Sequence, residues 1–396
     1  MGADTLVRTD KEIVALAAYL KPWPMIAVDT EFIRESTFFP QVEIIQIATL
    51  EQIFLVDAHA FRKTRSADNP SDYDPAIEPL LEIFRDPSIL KIMHAAHGDQ
   101  ECLLTSFDTL ADPLFDTAVG ASLCGFGDSS GLGRLLADIM DVHIDKGLAR
   151  TNWSQRPLPQ TLMQYAADDV RYLVALAEKL LQQLEESGRH AWAMTLSEVG
   201  RDVYAYRSDE IAARMLRGRV QEQAFDALRG LLGWRESKAR SLNVPRRWVS
   251  EDAVLLDLAK ARPKTLEQME TFRGLSKHIL RDKAVVCGLL QVEKTQAPRA
   301  THVRPASEDE QLALEFLKCG MQLLAKKHSI GARHLISSDK LLAFVRAHLT
   351  TLEEVVREGF LSQESATIIG QDLLNLYLGH STLGLRNKKL EVLHAE

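Results

Sequence analysis

The chain has 396 residues, of which 46% are hydrophobic and 26% charged, a composition that excludes a disordered protein and a length that predicts two or three domains. No apolar run approaches the roughly 20 residues a membrane helix needs, the first ten residues lack the apolar core of a signal peptide, and Cys102, Cys124, Cys287 and Cys319 form no CxxC pair, so zinc and a disulfide framework are not expected and a reducing cytoplasm is. The net charge of −8 argues only superficially against a nucleic-acid partner, because it divides into −14 over residues 1–205, +7 over 206–300 and −1 over 301–396, an acidic module followed by a basic one.

In chain order, residues 25–32 form an apolar run that ends in Asp29 and Glu31. Residues 42–49 and 53–56 follow at hairpin spacing, and all three segments read as neighbouring strands. Residues 79–85 predict a helix, 90–94 a short strand and 99–107 a helix with Asp99 near its start. Residues 159–186 predict one long amphipathic helix, with an apolar stripe through Leu162, Ala166, Val170, Leu173, Ala177 and Leu180. The β-β-β-α-β-α order predicts a mixed sheet covered by helices. From about Ile211 onward helical patterns replace strand signals, as at 225–232, 253–261 and 265–269. The expected organisation is therefore an α/β domain at 1–205, an all-α domain at 206–293, a linker at 294–309 and a second all-α domain at 310–396.

Four carboxylates and a tyrosine carry the chemistry. Asp29 and Glu31 lie two apart on a strand and share a face. A buried strand does not carry two acids on one face without a compensating charge, and the competing reading is a strand end facing water. Tyr165 and Asp169 are four apart on a helix and also share a face, whereas Asp168 is out of phase and reads as a solvated acid. Asp99 taken alone reads as a helix cap or dipole partner. Two carboxylates about 4 Å apart at an effective dielectric near 20 repel by about 4 kcal/mol, so four converging acids call for cations. Carboxylates suit Mg²⁺ or Mn²⁺, and two such ions can drive in-line cleavage of a phosphodiester. A free tyrosine, with a pKa of about 10, is a poor base at neutral pH unless nearby metals favour its deprotonation or it mainly orients water.

The segments Asp-Thr-Glu-Phe (29–32), Ile-Ile-Gln-Ile-Ala (44–48), His-Ala-Ala-His-Gly-Asp (94–99), Phe-Asp-Thr (115–117), Trp-Ser-Gln-Arg-Pro-Leu (153–158) and Gln-Tyr-Ala-Ala-Asp-Asp-Val-Arg-Tyr-Leu (164–173) together resemble the DEDD exonuclease superfamily in its tyrosine-bearing subclass, and most of all the ribonuclease D family. The resemblance covers residues of about 20–205 and implies a ribonuclease H-like mixed sheet flanked by helices. It implies that Asp29 bridges two metals, that Glu31 and Asp169 complete the site of the attacking water, that Asp99 acts through the second metal's water shell, and that Tyr165 orients or deprotonates the water. The local departure is His97-Gly98 before Asp99, where relatives often carry a polar residue. The reaction implied is 3′→5′ hydrolysis of RNA to nucleoside 5′-monophosphates, with tRNA precursors bearing a single-stranded 3′ end as substrates and two Mg²⁺ or Mn²⁺ ions as cofactors. No membrane or obligate protein partner is implied.

Gln46, Lys146, Trp153 and Arg156 are second-rank candidates. Arg156 is read as a phosphate contact with Trp153 beneath it, against a structural Trp-Arg-Pro turn. Asp116 reads as the organiser of a turn, and His94 and His97 as core or loop histidines. Residues 225–290 resemble the helicase-and-ribonuclease-D C-terminal (HRDC) domain through Leu-Leu-Gly-Trp-Arg-Glu (231–236), Asn-Val-Pro (243–245), Leu-Leu-Asp-Leu-Ala-Lys-Ala-Arg-Pro (255–263) and Phe-Arg-Gly-Leu (272–275). Arg240, Arg246, Arg247 and Lys264 are its candidate phosphate contacts and Trp248 a candidate base-stacking surface, against a solvated basic face. Residues 306–385 read as a degenerate, architectural second copy. Two rival functions remain: a DNA exonuclease of the same superfamily, although no Walker A motif or polymerase domain is present, and a non-catalytic RNA-binding protein, against which the complete acid set argues.

Overall fold

The apolar runs of the first 60 residues become the centre of a six-stranded sheet. The computed structural model describes residues 5–62, 73–128, 130–144, 151–203, 206–216, 222–291, 306–336 and 338–394. Most of the expected linker at 294–309, and Lys146, lie outside them. The strands are β1 (Thr5–Val7), β2 (Met25–Ile33), β3 (Gln41–Ala48), β4 (Ile53–Asp57), β5 (Leu90–Met93) and β6 (Leu114–Asp116), in the spatial order β1-β4-β3-β2-β5-β6. The β3–β4 pair is antiparallel, while β1–β4, β2–β5 and β5–β6 are parallel. β4 is buried at every residue and β3 at seven of its eight, as expected of strands covered on both faces. The expected mixed sheet forms, with two short strands, β1 and β6, that three-residue signals did not reveal.

Helices α1 (Asp10–Leu20), α2 (Glu78–Arg85), α3 (His97–Phe107), α4 (Thr117–Leu123), α5 (Leu132–Met140), α6 (Gln160–Arg171), α7 (Leu173–Glu186) and α8 (His190–Ser197) accompany the sheet. The single helix expected over 159–186 is two, divided at Tyr172 (φ −111°, ψ −1°). Its apolar stripe is nevertheless continuous, with Leu162, Ala166, Val170, Leu173, Ala177 and Leu180 all buried. Asp99 falls in the first turn of α3, which begins two residues earlier than expected.

The chain divides into two compact units rather than three. One contains residues 1–31, 42–200 and 306–396, and the other 32–41 and 201–305. The C-terminal block expected to stand alone thus belongs with the sheet. The Gly331 N–H donates to the Ser122 carbonyl at 2.8 Å, the Arg333 N–H donates to Asp128 at 3.0 Å, and Arg189 donates to the carbonyls of Leu123 (2.8 Å) and His328 (2.8 Å). These long-range hydrogen bonds leave no trace in local periodicity. Nor is the block all-α: Ser381–Arg386 and Lys389–His394 form an antiparallel hairpin. Asn387 and Lys388 both take positive φ at its turn, the requirement of a type I′ connection.

In the second unit α9 (Ser208–Leu216), α10 (Glu222–Leu242) and α12 (Asp252–Ala261) pack with shorter helices around Leu228, Leu231, Leu255, Leu258 and Ile279, while Val249 of α11 (Arg246–Val249) packs with Phe38 and Ala239. Residues 32–41, which continue from β2, are held there by Asn243. Its Oδ1 accepts the N–H groups of both Phe38 and Phe39 at 3.1 Å. Asn243 has φ +49°, a left-handed conformation that asparagine tolerates better than most residues.

Candidate active site

Asp29 at the middle of β2 and Glu31 two residues on follow directly after the fully buried Ile26–Val28 stretch and are partly exposed. Asp99 reaches the same place from α3. The Thr30 N–H and Oγ1–H both donate to one Asp99 carboxylate oxygen, at 3.2 and 2.6 Å. The turn that delivers α3 is itself fixed from β6: Asp116 accepts from the N–H groups of Ala95 (2.8 Å), Ala96 (3.0 Å) and Ala118 (2.8 Å), and Ala95 holds φ +58°. Asp116 is thus the expected organiser of a turn. His94 bonds to the Thr117 hydroxyl at 2.9 Å as a loop histidine.

The acids share one electrostatic field. Desolvation raises the carboxyl of Asp29 well above its ordinary value, and the charges of Asp99, Asp169 and Glu31 push it further the same way. Glu31 is raised to about 8 by desolvation, then by Asp169 and Asp99. Asp99 is raised to about 6 by desolvation, against the lowering effect of its Thr30 hydrogen bonds. Residues from β2, α3 and α6, separated by up to 140 positions, therefore act on one another as charges. Among the described residues no three His, Cys, Asp or Glu side chains are already gathered around one point as metal ligands, so the acids share a field rather than a finished coordination sphere. Their chemistry fits divalent cations: all four are hard oxygen donors, and the charges acting on Glu31 are negative.

Tyr165 and Asp169 are both partly exposed on α6. The Tyr165 ring lies 6.1 Å from that of Trp153, tilted by 45°. Asp168 turns away and pairs with Arg171 at 2.7 Å.

Several second-rank candidates are corrected. Gln46 is fully buried and cannot touch RNA. Trp153 is buried to 2% exposure, which excludes a direct contact with RNA. Arg156 has all five of its donors engaged: Nε and Nη2 on Asp57 (3.0 and 2.6 Å), Nη2 also on the Glu43 carbonyl (3.2 Å), and Nη1 on the carbonyls of Trp153 (2.6 Å) and Gln155 (2.9 Å). A guanidinium has no sixth N–H for a phosphate. Arg240 and Arg246 both pair with the buried Glu236, at 3.1 and 2.5 Å, and stand over the Phe38 ring, so their charge is compensated within the fold. Arg247 and Lys264 are exposed and Trp248 is 50% exposed; these three keep the accessibility an RNA contact needs.

Thr30 was missed by sequence reasoning, although it stands inside the Asp-Thr-Glu triplet. Thr30→Val removes the hydroxyl bond to Asp99. A hydrogen bond to a charged group contributes about 1.5–3 kcal/mol, so the expected loss in kcat is about tenfold or more. The loss is greatest at low pH, because the Asp99 carboxyl then titrates higher. A pH–rate profile checks this, and an unchanged profile excludes the positioning role.

Residues 5–185 match the 3′-5′ exonuclease family and residues 224–284 the HRDC domain. The Ribonuclease D of Jannaschia sp. is 31% identical, covering 98% of this chain and 98% of its own. That of Bartonella henselae is 32% identical, covering 84% of this chain and 80% of its own. The crystal structure of Escherichia coli RNase D, described as an exoribonuclease involved in structured RNA processing, superposes with a TM-score of 0.76 at 25% identity, covering 96% of this chain and all of that one.

Proposed function

Because this chain belongs to the ribonuclease D family and is thereby a 3′→5′ exoribonuclease, we propose that it trims structured RNAs, tRNA precursors among them, by two-ion hydrolysis at Asp29, Glu31, Asp99 and Asp169. The observation that carries this reading is the convergence of acids from three separate elements: Thr30, between Asp29 and Glu31 on β2, binds Asp99 of α3, and Asp99 and Asp169 of α6 both act as charges on Asp29 and Glu31. Two Mg²⁺ or Mn²⁺ ions, when bound, would neutralise the acids, polarise the scissile phosphate and lower the pKa of the attacking water. Asp29 and Glu31 would hold them from one strand face, with Asp99 and Asp169 closing the site from two helices. Thr30 keeps the Asp99 carboxylate oriented. Tyr165 is partly exposed, and would orient or deprotonate the nucleophilic water. On the second unit, Arg247 and Lys264 would contact phosphates and Trp248 would stack on a base. Within that reading, 206–293 is the HRDC domain and 310–396 an architectural, divergent relative of it. All four cysteines are free thiols, and among the described residues no helix is long and apolar enough to cross a membrane. The free thiols support a cytoplasmic location.

A 3′-tailed RNA hairpin labelled at its 5′ end tests the proposal. With Mg²⁺ or Mn²⁺ the expected product is a ladder that shortens one nucleotide at a time from the 3′ end and stalls near the duplex. Chelator abolishes it, and a matched DNA hairpin is cut more slowly. Intact RNA with either metal, from folded protein, rejects the nuclease reading; equal cleavage of DNA rejects RNA as the preferred substrate.

A further inference from the structure

Arg156 looks from the sequence like a phosphate contact, and the structure gives it different work. It reaches across about a hundred residues of chain to Asp57 at the end of β4, where it makes a fork of bonds at 2.6–3.1 Å. Its Nη2 also donates to the Glu43 carbonyl on β3. The opposite edge of the same guanidinium holds the carbonyls of Trp153 and Gln155. One rigid, planar group therefore clamps the 153–156 turn onto two strands of the central sheet. The clamp is itself braced. Asp57 is also paired with Arg8 at 3.3 Å, and the fully buried Glu43 side chain takes Arg62 at 2.7 Å and His59 at 3.1 Å.

The turn so fixed carries Trp153, whose buried indole packs beside Tyr165. Among the described residues its Nε1 has no hydrogen-bond partner. No polar bond therefore holds the ring; it is held by packing and by the backbone that Arg156 grips. Tyr165 stands on α6, which starts four residues after Arg156 and packs against β4. We propose that Arg156, through Trp153, is a positioning residue for Tyr165, setting the place of the phenol relative to the acids on β2. The inference rests on the nuclease reading, and it assigns Arg156 no contact with RNA.

A catalytic group displaced by about 1 Å can lose up to a hundredfold in rate. Arg156→Lys keeps the charge but loses the planar fork, and is expected to lower kcat about tenfold or more with KM changed less than about twofold. A double-mutant cycle with Tyr165→Phe separates positioning from general damage. If Arg156 acts through Tyr165, then Arg156→Lys costs little further rate in the Tyr165→Phe background. If it acts only on stability, the two losses multiply. Trp153→Phe is the second variant, expected to show the same non-additivity with Tyr165→Phe, and it decides the matter should Arg156→Lys fail to fold.

Multiplicative losses overturn the proposal. So does a raised KM at unchanged kcat with a weaker salt dependence, which would mean a direct phosphate contact. If Tyr165→Phe cleaves as fast as the parent enzyme, the nuclease reading stands and the positioning role falls. If the parent enzyme does not cleave at all, both fall.

Discussion

Asp29→Asn is expected to lower cleavage by orders of magnitude and at the same time to raise the melting temperature of the metal-free protein. The two effects have one cause. Asp29 feels desolvation and three other carboxylates, and the fold must either keep it charged among them or protonate it. At pH 7 protonation costs up to about 4 kcal/mol, from an unfolded pKa near 3.9. Keeping it charged costs roughly 2 kcal/mol for each like-charged neighbour at about 8 Å and an effective dielectric near 20. Asparagine preserves the shape and removes either cost. An increase of about 1–4 kcal/mol corresponds to a rise of several degrees in a chain of this size. Cleavage is expected to fall by about a thousandfold or more, as several kcal/mol of transition-state stabilisation depend on the metals. Calorimetry in chelator and the hairpin assay in Mn²⁺ measure the two effects. A variant that loses activity and also melts lower in chelator would mean that Asp29 serves the fold rather than a cation site.

In chelator, the stability of the parent protein is expected to fall as pH rises from about 6.5 to 8, and saturating divalent metal to remove the part of that slope due to Glu31. Glu31 titrates at about 8 in the folded protein against roughly 4.3 in the unfolded chain. Over this interval the folded state holds a proton that the unfolded state has released, so stability decreases with pH. A raised carboxyl supports the fold fully below its unfolded pKa and loses that support as pH passes through its folded pKa. Asp99, at about 6, contributes mainly to the lower part of the range. The interval matters because His334, pushed down to about 4 by burial, works in the opposite direction: a depressed histidine gains stability for the fold as pH rises from 4 to its unfolded value near 6.5. At 6.5 the unfolded histidine is still about half protonated, so that contribution levels off only about one pH unit higher, and Lys91, lowered to about 8 by burial, opposes the Glu31 slope only near pH 8. Denaturant midpoints at pH 6.5, 7.2 and 8, with chelator and with Mn²⁺, give the result. A flat or rising profile in chelator would show that the acids are solvated and uncoupled.

The ordered acids were legible because their chemistry is local. Two acids two apart on a strand, or a tyrosine and an acid four apart on a helix, share a face whatever the rest of the fold does. The apolar runs of β2, β3 and β4 were equally plain, since buried strands are long and nearly continuous in hydrophobicity. The three-residue strands β1 and β6 were too short to show a period. α1 passed unseen although Thr9 and Glu12 form a capping box, a signature written in the letters Thr-Asp-Lys-Glu. The C-terminal hairpin was hidden by a turn of Asn387-Lys388 in place of the more telling Asn-Gly.

What the sequence determined by itself is the order of the candidate acids and tyrosine, the α/β character of the first 200 residues and the helical basic block that follows. Only the tertiary structure decided which cations are free. Arg156 is engaged by Asp57, 99 positions away, and Arg246 by Glu236 and Phe38, whereas Arg247, one residue on, is exposed. A side chain's charge is written in its letter, but its availability depends on which distant carboxylate the fold brings within about 3 Å, where desolvation and hydrogen bonding make the pairing far stronger than it is in water.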